Sequence, residues 1–142
     1  MKTLGFHLSI LILILAGCSA QSQLTSISGT LSLTPSLQSK IGASDVIFVM
    51  AYPLGGETRP ASSNPIAVQK ITPPVFPAPF HLSQKDVIFP ERRFEGLLEI
   101  RARVDKDGKA TTIESGDLEG SYKKNPVAVG SKDVELLIDQ EK

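Results

Sequence analysis

The chain has no tryptophan, one cysteine and two histidines among its 142 residues. One cysteine cannot build a disulfide framework, and this set of residues is too small for a zinc finger. Aromatic residues make up only 6% of the chain, which disfavours a stacking platform for sugars or bases. Fifteen basic residues balance fifteen acidic ones, so the net charge of zero gives no reason to expect a nucleic-acid partner.

The rest of the composition is typical of one small globular domain. Apolar residues account for 41% of the chain and charged residues for 21%, close to globular averages, which argues against bulk disorder. Eleven glycines and ten prolines favour a fold with many loops. We therefore expect a single all-β domain.

The N-terminus predicts export and lipidation. Lys2 supplies a positive charge, and the apolar stretch 8–16 is shorter than the roughly 20 residues a membrane-spanning helix needs. Such a segment is typical of a signal peptide. It ends in the sequence LAGC, the pattern of a bacterial lipobox, so we expect residues 1–17 to be removed and Cys18 to carry lipid. The alternative is an ordinary secretory signal with a chance cysteine.

A lipid on Cys18 determines the expected location. Two or more acyl chains anchor a protein stably to a bilayer. Residues 18–25 are small and polar and are expected to form a tether, so the domain would face the periplasm. Ser19, rather than an aspartate, follows the cysteine, which favours the outer over the inner membrane.

Residues 26–140 contain a series of strand patterns. In the first, residues 26–33, apolar side chains alternate with polar ones, which predicts that Ile27, Leu31 and Leu33 share one face. The stretch 45–52 is apolar at nearly every position, as expected for a central strand. About seven short strands without a sustained helical period predict a β-sandwich.

Two further segments define expected edges and turns. Residues 98–104 alternate apolar and charged side chains, so the charged ones are expected to face solvent. A turn at 105–108 would follow, with residues 109–113 returning as the next strand. The prolines between Pro73 and Pro79 lack backbone donors, so this segment is expected at a sheet edge. Such an edge is a poor template for an added strand, so a partner would be expected at the opposite edge or at an apolar and aromatic patch.

Residues that often carry chemistry do not form a catalytic or metal-binding pattern here. His81 would be the only histidine after removal of residues 1–17, has no free cysteine as a partner and is expected on a strand surface. Ser121–Lys124 matches S-x-x-K, but it lies in a loop pattern without the motif's companion elements. Asp117 and Glu119 are expected in a turn. We therefore predict no enzyme activity, no cofactor and no metal.

Four segments of the chain form a recognisable series when they are taken in order: IFVMA (47–51), PIAVQK (65–70), ARVDKDGKA (102–110) and GDLEG (116–120). This series resembles a known family, the C-terminal periplasmic domain of c-type cytochrome biogenesis proteins of the CycH (CcmI) type. That family has a strand reading roughly FVFAR, a P-L-A-V-x-R strand, an A-R-V-S-x-S-G-x-A hairpin and then G-D-L-x-G.

The resemblance implies an immunoglobulin-like β-sandwich that binds a protein. Family members present apocytochrome c to the haem-ligation machinery. The partner implied by the resemblance is therefore apocytochrome c or a component of that machinery. Lipid on Cys18 would replace the family's membrane helices. Two aromatics beside two arginines fit the composition of binding hot spots, so the expected contact residues are Phe89, Arg92, Arg93 and Phe94. The alternative is that both phenylalanines fill the end of the sandwich.

Two other functions remain open from the sequence. A structural or secretion-assembly lipoprotein of the envelope, such as a pilotin, would need the same tether and small sandwich. A small hydrolase or metal enzyme would need a cleft facing an acidic pair, because the chain has few other catalytic side chains.

Overall fold

A computed structural model of the protein describes residues 25–54 and 64–142. Within these ranges the chain forms nine β-strands and two short 3-10 helices, Pro35–Lys40 and Gln84–Asp86. The strands are β1 (Ser26–Leu33), β2 (Val46–Pro53), β3 (Ala67–Ile71), β4 (Ala78–Ser83), β5 (Leu97–Asp105), β6 (Leu118–Ser121), β7 (Val127–Ala128), β8 (Val134–Ile138) and β9 (Gln140–Glu141).

The strands form two sheets that pack face to face. The smaller sheet has the order β4-β1-β8, with β1 antiparallel to β4 and parallel to β8. The larger sheet has the order β3-β2-β5-β6-β9, and β7 pairs with the start of β5. This arrangement confirms the predicted all-β sandwich. Two strands of only two residues, β7 and β9, raise the number of strands above the expected seven.

The sandwich core draws its side chains from both sheets, and hydrophobic burial is its main source of stability. The largest fully buried side chains are Ile27, Leu31, Ile47, Leu82, Leu98, Ile100, Leu118, Leu136 and Ile138. In β1 the predicted alternation is confirmed, because its three apolar residues are buried while Thr30 and Ser32 are exposed.

β2 is buried on both faces, as its sequence predicts. It lies between β3 and β5, and its first six residues are all buried. One face packs into the main core. On the other face, Val46, Phe48 and Met50 form a second small cluster with Tyr52, Val68 and Ala110. Ala110 belongs to the loop between β5 and β6, so that loop lies over part of the outer face of the larger sheet.

The segment after β5 differs from the prediction. Residues 109–113 do not return as a strand; they lie in a loop, and the returning strand is β6. Carboxylates accept hydrogen bonds from backbone N–H groups of this loop: Lys109 donates to Asp105 at 2.9 Å, and Glu114 donates to Asp117 at 2.9 Å. These bonds stabilise an irregular path instead of a ladder.

The proline-rich segment leads into an edge strand, as predicted. β4 is the outermost strand of the smaller sheet on one side, and Pro79 lies opposite Thr30 within its pairing with β1. An edge position suits proline because it has no N–H to donate. The opposite edge of this sheet is β8.

The C-terminal strands connect the two sheets. β8 belongs to the smaller sheet and β9 to the larger, and the N–H of Asp139 between them donates to the carbonyl of Glu119 at 3.2 Å. The two sheets come close together here. A Cβ added to Gly120 would lie only 1.9 Å from the carbonyl oxygen of Leu137. Only glycine permits this approach of β6 to β8.

Candidate functional site

The outer edge of β8 carries backbone groups that no neighbouring strand pairs. β8 pairs with β1 on one side only. The carbonyl of Ile138 accepts from Thr34 on the β1 side, whereas the N–H of Asp139 points to the larger sheet. Successive residues of a strand direct their backbone groups to opposite sides, so those of Glu135 and Leu137 face away from β1.

A groove of about 760 Å³ runs along this edge. We call it the β8 groove. Hydroxyl groups from β1 and side chains from β8 line one part of it, and the loop after β6 lines the other. Its lining residues are Thr30, Ser32, Tyr122, Lys123, Lys124, Asp133, Glu135, Leu136 and Leu137.

The loop wall of the β8 groove is held by one side chain. The Asn125 side chain accepts from the N–H of Ile100 at 2.9 Å and donates to the Ile100 carbonyl at 3.0 Å. It also donates to the Ser121 hydroxyl at 3.1 Å. The N–H of Tyr122 donates to the same Ile100 carbonyl at 3.0 Å. These bonds tether the turn to β5 and leave Lys123 and Lys124 exposed.

The groove can bind an extended peptide. The backbone groups of Glu135 and the N–H of Leu137 offer main-chain hydrogen bonds, whereas the Leu137 carbonyl lies against Gly120 of β6. The half-buried side chain of Leu137 offers an apolar contact. Lysines stand on one side and Glu135 on the other, so the groove presents both signs of charge. The sequence predicts a partner at the edge opposite the proline-rich segment, and the strand order places β8 at that edge of the smaller sheet. The S-x-x-K match lies in its wall, in a turn rather than at a helix start.

The four predicted contact residues do not form one surface. Phe94 is only 5% exposed and packs in the main core, which agrees with the alternative interpretation for this one of the two phenylalanines. Its N–H donates to the side chain of Gln84 at 2.8 Å. Phe89 is 38% exposed, and Arg92 and Arg93 are exposed. A contact role for these three residues stays a prediction.

The other predicted positions have simple surroundings or lie beyond the described ranges. His81 is exposed on β4, and its N–H donates to the side chain of Gln69 at 2.9 Å. Cys18, the signal segment and nearly all of the tether fall outside the described residues, so lipidation stays a prediction. Among the residues described, no group of histidine, cysteine, aspartate and glutamate could hold a metal ion.

A buried ionic cluster lies on the outer face of the larger sheet, where a solvated charge was expected. Arg103 is 4% exposed, and Asp105 and Asp117 are each 1% exposed. The Arg103 guanidinium is 3.2 Å from Asp105 and 3.9 Å from Asp117. It also donates to the carbonyl of Ala110 at 2.8 Å. The prediction that the charged face of β5 is solvated is therefore wrong at Arg103, because the loop covers it.

Burial dominates the protonation of this cluster. Removal from water raises the pKa of Asp105, and a hydrogen bond with Asp107 adds to this effect. The Lys109 N–H and the Arg103 charge oppose it. Each carboxylate also bonds backbone N–H groups of the loop, so the cluster's visible role is to hold the β5–β6 loop against the sheet.

A smaller depression of about 380 Å³ lies beside this cluster. One of the charged residues that line it, Arg101, already has partners: Glu99 at 2.9 Å and the ring of Tyr52 at 4.7 Å from its centroid. Burial raises the pKa of the Tyr52 hydroxyl although nearby arginines oppose this. Because these groups satisfy one another, the depression offers less to a ligand than the β8 groove does.

The profile of the cytochrome c-type biogenesis protein H Ig-like domain matches residues 27–139. The chain belongs to this family. The match confirms the resemblance found in the motifs and covers every strand from β1 to β8 of this Ig-like domain.

Two individual proteins are also similar to this Ig-like domain. An uncharacterized protein of Aquifex aeolicus (strain VF5) is 32% identical over 114 residues, which cover 80% of this chain and 70% of that protein. The structure of an alternative pilotin from the type II secretion system of Vibrio cholerae is 17% identical, with a TM-score of 0.48. That similarity covers 81% of this chain and 96% of the pilotin.

None of the helices in the described ranges is long and apolar enough to cross a membrane.

Proposed function

We propose that this protein is a lipid-anchored binding module of the bacterial envelope that acts in c-type cytochrome assembly. Its membership in the Ig-like domain family of cytochrome c-type biogenesis protein H supports this role. The anchor is lipid on Cys18, and the domain faces the periplasm. The module binds a protein segment and performs no chemistry on it.

The unpaired outer edge of β8 carries the proposal. An extended segment of the partner adds to the smaller sheet there and bonds to the N–H and C=O groups of Glu135 and to the N–H of Leu137. Lys123 and Lys124 select segments with a carboxylate at the matching position. The partner is an apocytochrome c or a subunit of the haem-ligation machinery.

The test is site-specific photo-crosslinking in the envelope of the native bacterium. A photoreactive amino acid replaces Leu137 in the groove, and the matched control replaces His81 on the opposite edge strand of the same sheet. We expect crosslinks from position 137 to apocytochromes or haem-ligation proteins, identified by mass spectrometry, and fewer from position 81. Crosslinks from position 137 to secretion or outer-membrane assembly proteins would instead support a pilotin-like role.

Charge reversal provides a second test. Lys123→Glu with Lys124→Glu should weaken partner capture, while Lys70→Glu with Lys85→Glu changes the net charge equally at exposed sites away from the groove. Equal capture by both double variants would rule out the β8 groove as the binding site.

A further inference from the structure

Exposed apolar side chains are concentrated at one end of the sandwich. The described residues include six large apolar side chains that are at least 38% exposed, and four of them lie at this end. The pairing of β2 with β5 ends at Pro53 and Leu98, which places Leu54 and Leu97 side by side just beyond it. The four side chains are Leu54, Ile88, Phe89 and Leu97.

Backbone contacts place the other two side chains at the same end. The N–H of Ile88 donates to Ile66 at 2.9 Å, and the N–H of Ile66 donates to Ala51 near the end of β2 at 2.8 Å. Phe89 follows and begins a turn that the N–H of Arg92 closes at 2.9 Å. We call the surface formed by Leu54, Ile88, Phe89 and Leu97 the apolar end.

The chain enters the domain at this end. Thr25, the first described residue, lines a depression of about 530 Å³ together with Arg93, Phe94 and Gly96, and Gly96 directly precedes Leu97. Thr25 lies seven positions along the chain from Cys18, the proposed site of the lipid, and seven residues span at most about 25 Å. A lipid in the bilayer would therefore hold this end of the domain next to the membrane.

We propose that the apolar end docks against the lipid bilayer and fixes the orientation of the domain on the membrane. This inference rests on the proposed lipidation of Cys18. Leucine, isoleucine and phenylalanine side chains on a tethered surface lose contact with water when they enter the interfacial region. Arg92 and Arg93 lie beside Glu91 and Glu95, so the contact depends on apolar insertion rather than on anionic lipid.

Docking in this orientation leaves the β8 groove accessible. β1 begins at Ser26, at the apolar end, and the part of β1 that lines the groove, Thr30 and Ser32, lies further along the strand. The groove therefore opens sideways, clear of the bilayer.

Val75 is an exposed apolar residue at the other end of the sandwich. It lies between β3 and β4, and Ile71 at the end of β3 pairs with Ile47 at the start of β2. The start of β2 is the end of that strand away from Leu54, so Val75 lies far from the apolar end.

The absence of tryptophan permits a direct test, because each introduced tryptophan is the only one in the protein. Full-length Phe89→Trp, Leu97→Trp and Val75→Trp proteins are purified with their lipid and placed in phosphatidylcholine vesicles with brominated acyl chains. We expect the lipid to quench positions 89 and 97 about twofold or more above position 75, with little dependence on salt. Equal quenching at all three positions would overturn the proposed docking.

The mass of the intact protein tests the anchor separately. Without the lipid mass on Cys18, the proposed anchor is wrong, and the orientation is then measured after Cys18 has been coupled to a maleimide phospholipid. In that sample, quenching at positions 89 and 97 is again divided by quenching at position 75. A ratio of about two or more supports docking of the apolar end, and a ratio near one contradicts it, whatever the state of the natural anchor.

Discussion

Arg101 and Arg103 occupy alternate positions on the same face of β5, yet only Arg103 is buried. The side chain of Arg101 is 44% exposed and pairs with Glu99, whereas that of Arg103 is 5% exposed and lies between Asp105 and Asp117. The β5–β6 loop folds over Arg103 and not over Arg101. Two arginines with the same position in the strand pattern therefore differ in what they contribute to stability.

Replacement of these arginines should separate the two contributions. Arg103→Met leaves two carboxylates buried without their cation and should lower the free energy of unfolding by about 3–5 kcal/mol. Arg101→Met removes an exposed pair and should cost about 1 kcal/mol or less. Urea unfolding followed by circular dichroism measures both values. Similar losses in the two variants would show that the buried cluster does not hold the loop.

The cluster should also give stability a defined dependence on pH. Because burial raises the pKa of Asp105 above the 3.8 of the unfolded chain, the folded protein binds this proton more tightly. The resulting stabilisation of the folded state is complete below pH 3.8 and is lost as the pH rises through the raised pKa of Asp105. Relative to Asp105→Asn, the wild-type protein should therefore become less stable over that range, as measured by urea unfolding at several pH values.

Asp107 supplies a control of opposite sign. Hydrogen bonds from Lys109 lower the pKa of Asp107, so its contribution to stability is present above 3.8 and is lost as the pH falls through the lowered pKa. The difference in free energy of unfolding between the wild-type protein and Asp107→Asn should change with pH in that acidic range only. If Asp105→Asn and Asp107→Asn shift the pH profile in the same direction, the assignment for Asp105 is wrong.

The two phenylalanines near the apolar end should respond differently to truncation. Phe94→Ala leaves a cavity in the core and should cost about 3–5 kcal/mol of unfolding free energy. Phe89→Ala alters an exposed side chain and should change stability by about 0.5 kcal/mol or less. Thermal and urea unfolding of the purified protein measure both losses. A large loss for Phe89→Ala would mean that this ring also supports the fold.

Two glycines should differ according to the reason each is required. Gly120→Asn places a side chain against the backbone of β8 and should cost about 3 kcal/mol or more, because neither backbone can move freely. Gly96 has φ +77° with no atom within 4 Å of an added Cβ, and asparagine adopts such a backbone more readily than other side chains. Gly96→Asn should therefore cost about 1 kcal/mol. Comparable unfolding midpoints for the two variants would contradict the close approach of β6 and β8.

Local patterns were sufficient for much of the sandwich. The alternation in β1, the doubly apolar β2 and the prolines before β4 each depend on the period of a strand or on a missing donor, and both are visible in neighbouring residues. The irregular path after β5 was not predictable in this way. That path depends on the carboxylates of Asp105 and Asp117. The N–H of Lys106 donates to Asp117, which lies eleven positions further along the chain, and no side-chain period predicts such a bond.

The sequence alone determined the all-β class, the family and the expected lipid anchor, because these depend on side-chain period, motif order and a short N-terminal pattern. Tertiary structure decided which charges are buried, which strand edge stays unpaired and which apolar side chains share one end. Each of these depends on residues far apart in the chain. Arg103 is buried because a loop covers it, and the β8 groove exists because β8 pairs with β1 and leaves the first part of its other side without a paired strand.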